Sequence, residues 1–157
     1  MPVIQKGSTL MALVTGHIGI NVTDLQRSSS FYANALGLQH IGGSAEGGQK
    51  FAFLGDGTRL LLTLWEQSSG QFSATTPGLH HLAFSVDSMD EVRAAESRLR
   101  SAGAKFIYNG AVAHAEGRDS GGIFFEDPDG TRLEISTSTG AGKLQAPTGA
   151  APSCGFF

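Results

Sequence analysis

The chain repeats one pattern of secondary structure twice, and this duplication constrains the fold more than any other feature of the sequence. The first copy covers residues 14–66 and the second covers residues 77–136. Both open with a short alternating apolar stretch, GHIGINV from residue 16 and HHLAFSV from residue 80, and both close with a strand that begins GTRL. One copy alone would leave a half-apolar sheet face exposed, so the two copies are expected to pack together.

Each copy predicts one helix and four strands in the order β-α-β-β-β. The second helix has the clearer signal, because Ser88 and Glu91 form an S-x-x-E capping box and Gly103 is suited to end the helix. Thr23 or Asp24 is expected to cap the first helix. The later strands are expected at about residues 38–42, 49–54 and 58–65 in the first copy, and at about 105–109, 121–126 and 131–136 in the second.

These elements predict a single domain of the α+β class over residues 14–136. Its two β-α-β-β-β modules, 14–66 and 77–136, are joined by a linker over 67–76 and are expected to form a curved mixed sheet around a metal or ligand cavity. Residues 1–13 are interpreted as an N-terminal extension. Residues 137–157, which are rich in Gly, Ala and Pro, are expected to form a flexible tail.

Composition excludes several classes of partner. The formal net charge is −3 and no Lys/Arg cluster is present, so binding to nucleic acid through its phosphates is not expected. No apolar run reaches the roughly 18 residues of a membrane span, and the first residues lack a convincing signal-peptide cleavage site. Cys154 is the only cysteine, which excludes an internal disulfide framework and fits a cytoplasmic protein.

Three residues that can bind a metal occupy equivalent places in the two copies. Alternation in the first strand of each copy puts His17 and His81 on the small, polar face, away from the apolar residues that should pack on the helix. Glu134 directly follows GTRL in the second copy and is expected on the same inner face. Overlaying the two GTRL sequences places Leu61 at the corresponding position of the first copy, where no metal can bind.

Two imidazoles and one carboxylate form a ligand set that suits Fe(II) and also accepts Mn, Ni, Co or Zn. Three protein ligands leave open positions for a substrate that binds the ion through two neighbouring oxygens. The residues His17, His81 and Glu134 therefore predict a divalent-metal site, although the same face could instead be a cavity that has lost its ion.

The stretches GHIGINVTDLQRSSSFYANALGL, GLHHLAFSVDSMDEV and GGIFFEDPDGTRLEI resemble the vicinal oxygen chelate superfamily. This superfamily includes glyoxalase I, bleomycin-resistance proteins, fosfomycin-resistance transferases, methylmalonyl-CoA epimerase and extradiol dioxygenases. The resemblance implies a glyoxalase-like fold, metal ligands on the first and last strands of each module, and a homodimer that often builds its sites across paired subunits. His17, His81 and Glu134 match the ligand pattern, whereas Leu61 departs from it.

The departure at Leu61 affects the expected chemistry, because glyoxalase I uses that place for a fourth ligand that also acts as a base. The three-ligand pattern is closer to extradiol dioxygenases and fosfomycin transferases. Those families usually place a tyrosine where this chain has Phe124, and the transferases place a threonine where it has Gly19. Dioxygenase-like chemistry is therefore favoured slightly over lyase or transferase chemistry.

Other residues offer supporting roles. His114 and Glu116 lie in a polar stretch between two predicted strands and are candidates for acid–base catalysis, unless that stretch is only a solvated loop.

An alternative function is a metal-free binding protein of the bleomycin-resistance type, which holds an antibiotic or another planar ligand. A third possible function is that of a module that acts with another protein and uses its tail for attachment. The predicted substrate pocket consists of Leu61, Thr63, Trp65, Phe124 and Arg132.

Overall fold

A computed structural model describes residues 12–148 and 151–156. Most of the predicted N-terminal extension, residues 1–11, and residues 149, 150 and 157 of the predicted tail lie outside the described residues. Within them, no helix is long and apolar enough to cross a membrane.

Two β-α-β-β-β units follow one another along the chain, which confirms the predicted α+β class. A short 3-10 helix, Ser153–Phe156, ends the described chain. The elements are β1 (Ile18–Val22), α1 (Leu25–Leu36), β2 (Gln39–Ser44), β3 (Phe51–Gly55), β4 (Leu60–Glu66), β5 (Leu82–Ser85), α2 (Met89–Ser101), β6 (Lys105–Phe106), β7 (Val112–Ala113), β8 (Gly121–Glu126) and β9 (Arg132–Thr137).

The strands form two mixed sheets with the same topology. The first sheet has the order β1-β4-β3-β2 and the second has the order β5-β9-β8-β6, with β7 paired to β8 as well. The first strand of each module runs parallel to the last one, and the other pairs are antiparallel. The last strand therefore lies beside the first strand in both sheets, so residues from the two ends of a module meet on one face.

Both helices begin where the sequence predicts. The Asp24 carboxylate accepts a hydrogen bond from the backbone amide of Arg27, which makes Asp24 the N-cap of α1. Ser88 and Glu91 form the predicted capping box at the start of α2. Gly103 follows α2 with φ of 73°, a left-handed conformation that glycine adopts without strain.

The apolar face of each sheet packs against the helices. Tyr32 and Leu99 from the helices and Leu62 and Leu133 from the strands are fully buried in one core. Burial of each such leucine stabilises the fold by roughly 1.5–3 kcal/mol. The opposite face carries an aromatic cluster in the first sheet and the side chain of Glu134 in the second.

The DPDG turn between β8 and β9 ties the second module to the first. The carboxylate of Asp129 accepts hydrogen bonds from the amide and hydroxyl of Thr23, and it forms an ion pair with Arg27 of α1. Asp127 in the same turn accepts a hydrogen bond of 2.9 Å from the buried hydroxyl of Tyr32. The turn therefore acts as a joint between the modules as well as a hairpin.

Two expectations for the second module were wrong. The strand predicted over residues 105–109 is limited to β6, and the loop expected before β8 contains the additional strand β7, which pairs with Gly121 and Gly122. The described part of the tail, expected to be flexible, packs on this module. Ala141 and Ser153 are fully buried. Ala141 packs closely on Gly121 of β8, and the Ser153 hydroxyl donates to the carbonyl of Ala113 in β7.

Candidate metal centre

The candidate site lies on the face of the second sheet that points away from α2. Glu134 of β9 lies beside Ala83 of β5 on one side and beside Phe124 of β8 on the other. Its neighbours in sequence, Leu133 and Ile135, belong to the core on the opposite face. Alternation along β9 thus aims the Glu134 carboxylate at the inner face, and only 4% of the residue is exposed.

Imidazole groups contact both oxygens of this buried carboxylate. His81 Nε2 lies 3.5 Å from Glu134 Oε2, and His114 Nε2 lies 2.8 Å from Oε1. Burial raises the pKa of Glu134, but hydrogen bonds from His114 and Ser136 and the nearby imidazoles outweigh that effect, so the pKa lies below its usual value. The site therefore presents an ionised carboxylate at neutral pH.

His81 has the environment of a neutral metal ligand. Burial lowers its pKa and Glu134 only partly opposes this, so the imidazole is uncharged at neutral pH. Its Nδ1 lies 2.8 Å from His80 Nδ1. When His81 Nδ1 carries the proton and donates it to His80 Nδ1, the lone pair on His81 Nε2 is available to bind an ion. The sequence assigns no role to His80, because neighbouring side chains of a strand point to opposite faces and His80 would then face away from His81. Both residues precede β5, where strand alternation does not yet apply.

His114 is held in place on its other side. Its Nδ1 lies 3.0 Å from Ser120 Oγ, so both ring nitrogens have partners. This residue was a candidate for acid–base catalysis, and the structure places it directly against Glu134. Glu116, the other candidate, is exposed in the turn that follows His114.

The structure does not bring His17 to this centre within one chain. His17 is exposed just before β1, where it borders a cavity of about 680 Å³ together with Leu61 and residues of β5. Among the described residues, the ligand atoms that approach one another within 4.8 Å in a group of three belong to His81, Glu134 and Cys154. Cys154 was regarded as an inert residue of the tail, and no pattern in the sequence indicates that the tail returns to the site.

Strand register changes the expected counterpart of Glu134 in the first module. Gly19 pairs with Thr63 as Ala83 pairs with Glu134, so Thr63, not Leu61, holds the equivalent place. The GTRL overlay differs by two residues. The register shift after Leu54 accounts for one of them, and the turn accounts for the other, because the first paired residue of the last strand lies three positions after Gly57 but two after Gly130. Thr63 is almost completely buried, and neither it nor Leu61 supplies a carboxylate.

The predicted pocket residues fall into separate groups. Leu61, Thr63 and Trp65 share one face of β4, where the Trp65 ring stacks on Phe51 at 5.0 Å. Phe124 is fully buried below the site, with its ring 6.2 Å from that of His114, so it supports the centre rather than lining an open pocket. The guanidinium of Arg132 lies over a ring of the linker, that of Phe72, at 5.7 Å.

Comparison with known families assigns the chain. The model of the Glyoxalase/Bleomycin resistance protein/Dioxygenase superfamily matches residues 15–135, which include both modules. The chain belongs to this superfamily. That assignment confirms the resemblance inferred from the sequence, and it accounts for the duplicated module.

Characterised relatives within the superfamily have different activities. A lactoylglutathione lyase of Salmonella typhimurium is 32% identical over 139 residues, which are 81% of this chain and 94% of the relative. A catechol-2,3-dioxygenase of Bacillus subtilis is 29% identical over 122 residues, which are 76% of this chain. This chain spans only 40% of the length of that dioxygenase.

Solved structures of the superfamily share the fold. A glyoxylase/bleomycin resistance protein/dioxygenase domain from Frankia sp. EAN1pec has a TM-score of 0.69 and 27% identity, over 82% of this chain and 99% of that one. The fosfomycin resistance protein FosX from Listeria monocytogenes, in a mutant complex with Mn(II), has a TM-score of 0.61 and 23% identity, over 82% of this chain and 95% of that one. At that identity the second comparison shows the fold alone.

Proposed function

We propose that the protein is a divalent-metal-dependent enzyme of this superfamily, acting on a small substrate that binds the ion through two neighbouring oxygens. The observation that carries the proposal is the Glu134 carboxylate, buried and ionised, with the neutral imidazole of His81 at 3.5 Å. A buried carboxylate is costly unless it is paired or binds a metal, and His81 and Glu134 are a donor pair that suits Fe, Mn, Co, Ni or Zn.

His17 is proposed as the third ligand, supplied by a second copy of the chain. It is exposed and separate from His81 and Glu134 within one chain, so it is free to reach a neighbouring molecule. We therefore propose a homodimer whose sites would combine the first module of one copy with the second module of the other. The lone cysteine fits a reducing compartment, and we propose a cytoplasmic location.

A bound ion would supply Lewis-acid stabilisation of negative charge on the substrate oxygens. His114 orients Glu134 through its hydrogen bond and is proposed to exchange a proton with a substrate at that centre. In the first module, Leu61 and Thr63 offer no carboxylate base. The absence of that base supports dioxygenase-like chemistry over proton transfer between adjacent carbons, whereas the relatives include both a catechol dioxygenase and a lactoylglutathione lyase and favour neither.

Metal content tests this proposal directly. Protein purified without chelator and dialysed against Mn²⁺ or Fe²⁺ should retain the ion, and His81→Ala should weaken binding at least about tenfold through loss of a ligand. His40→Ala, which removes an exposed histidine of β2, is the matched control and should bind as the wild type does. Equal metal content in wild type and His81→Ala would overturn the proposal. Oxygen consumption with catechols, compared with turnover of lactoylglutathione, then separates the two reaction classes.

A metal-free binding protein is the second candidate, and one observation favours it. Phe51, Phe53 and Trp65 form an aromatic cluster on the first sheet, with ring centroids 5.0–5.1 Å apart. Partly exposed rings of this kind suit a planar ligand. Tight binding of a planar antibiotic that EDTA leaves unchanged would select this function over the first.

A further inference from the structure

We propose that the C-terminal segment, residues 151–156, supplies its own ligand to this metal centre, the thiolate of Cys154. His81, Glu134 and Cys154 of a single chain would then hold a thiophilic divalent cation such as Zn²⁺. The inference rests on the proposed metal site and adds to it a ligand that does not come from a second copy.

Geometry brings the three donors within reach of one ion. One ligand atom from each of His81, Glu134 and Cys154 lies within 4.8 Å of the other two. Zinc binds thiolate at about 2.3 Å and imidazole or carboxylate at about 2.0–2.2 Å, so two ligands of one tetrahedral ion lie about 3.3–3.7 Å apart. The three donors must therefore approach one another by up to about 1 Å, which rotation of their side chains can supply.

Hydrogen bonds fix the C-terminal segment to Ala113 and His114, and His114 is a partner of the Glu134 carboxylate. Ser153 is fully buried, its hydroxyl donates to the carbonyl of Ala113 at 2.7 Å, and its amide donates to the carbonyl of His114 at 2.8 Å. The Tyr108 hydroxyl donates to the Ser153 carbonyl at 2.8 Å. Because His114 also contacts Glu134, these bonds set the position of Cys154 relative to the carboxylate.

The donor types determine which cation is favoured. A thiolate, an imidazole and a carboxylate suit tetrahedral Zn²⁺ or Co²⁺, whereas Mn²⁺ and Mg²⁺ prefer oxygen ligands. Cys154 would also take a coordination position that a substrate or the His17 of a second copy needs. The segment would then block this coordination position until Cys154 is displaced.

Cobalt spectroscopy tests the thiolate ligand without an activity assay. The chain has one cysteine, so any thiolate-to-cobalt charge-transfer band in the near ultraviolet must come from Cys154. The wild type should develop this band in proportion to bound Co²⁺. Cys154→Ser should lose the band and bind Co²⁺ about tenfold more weakly, while His40→Ala, which removes an exposed histidine of β2, should keep both the band and the affinity.

The outcomes separate this inference from the proposed function. Cobalt that binds through His81 without a charge-transfer band, and with equal affinity in Cys154→Ser, overturns the thiolate ligand and leaves the metal site standing. A wild type that binds no Co²⁺ overturns both. A band that persists in His81→Ala also overturns the inference, because the sulfur would then bind cobalt away from the centre.

Discussion

Asp129 is a buried carboxylate that links the two modules, so its removal should destabilise the fold. It is 3% exposed and accepts hydrogen bonds from the amide and hydroxyl of Thr23, with Arg27 as its ionic partner. Asp129→Ala leaves these donors without their acceptor, so we expect the free energy of unfolding to fall by about 2–3 kcal/mol, allowing for the half-exposed Arg27. Urea denaturation measures the change.

The matched control for this prediction is Asp90→Ala. The Asp90 carboxylate is 93% exposed and faces Arg93 on the surface of α2. Its removal should cost less than about 1 kcal/mol. Equal losses in the two variants would show that the DPDG turn does not join the modules energetically.

Individual site residues could be predicted from the sequence when a strand carries them. The two-residue period of β9 orients Glu134, and its parallel partner β5 brings His81 beside it. His80 and Cys154 could not be found this way. His80 precedes β5 as His81 does, but alternation assigns it to the opposite face, whereas its ring contacts that of His81. Cys154 lies in a 3-10 helix of the tail, outside both duplicated modules. Their contacts depend on tertiary packing, which leaves no period in the sequence.

At the scale of elements, the end of β4 supports the start of α1. Glu66 accepts a hydrogen bond of 2.8 Å from the Leu25 amide, and it forms an ion pair with Lys50 at 2.7 Å. The hydrogen bond from Lys50 and then that from Leu25 lower the pKa of Glu66 below its ordinary value of 4.5. The ionised side chain therefore serves as a cap for the first helix.

This cap predicts a pH dependence of stability. A carboxyl whose pKa is lower in the folded state stabilises the fold above its unfolded pKa, and the contribution is lost as the pH falls through the folded value. Glu66→Gln should therefore lower the Tm by a constant amount above pH 5 or so, and the difference from wild type should shrink as the pH falls below about 4.5. Thermal unfolding followed from pH 7 to pH 3 measures it. A difference that stays constant over this range would contradict the assignment.

Element order was predictable, whereas strand register was not. The capping box of α2 and the duplicated hairpins were visible in the sequence and are present in the structure. The GTRL overlay nevertheless led to Leu61 where the register gives Thr63, because a bulge in the first hairpin and a difference between the two turns each shift the pairing by one residue. Identical residues in the two repeats therefore predict the order of the elements but do not determine the strand register, which bulged residues change.

At the scale of the whole molecule, the tail changes what one chain contains. Its Gly, Ala and Pro content is typical of flexible segments, yet small side chains also allow close packing on the backbone of β8. Composition does not distinguish these two outcomes. As a consequence, one chain brings together three donor groups, those of His81, Glu134 and Cys154, while His17, which was also predicted as a ligand, lies outside this centre.

The proposed homodimer gives the last prediction, a complementation test. If each site takes His17 from one copy and His81 and Glu134 from the other, then His17→Ala and Glu134→Ala chains both lack metal when pure. A mixed dimer of the two has one intact site, because the His17 of the Glu134→Ala chain meets the Glu134 of the His17→Ala chain. Random exchange should therefore restore about a quarter of the wild-type Mn²⁺ content. A Cys154→Ser background excludes the tail ligand from this measurement. Subunit exchange is verified with two differently sized tags, and exchange without restored Mn²⁺ would place His17 outside the shared site.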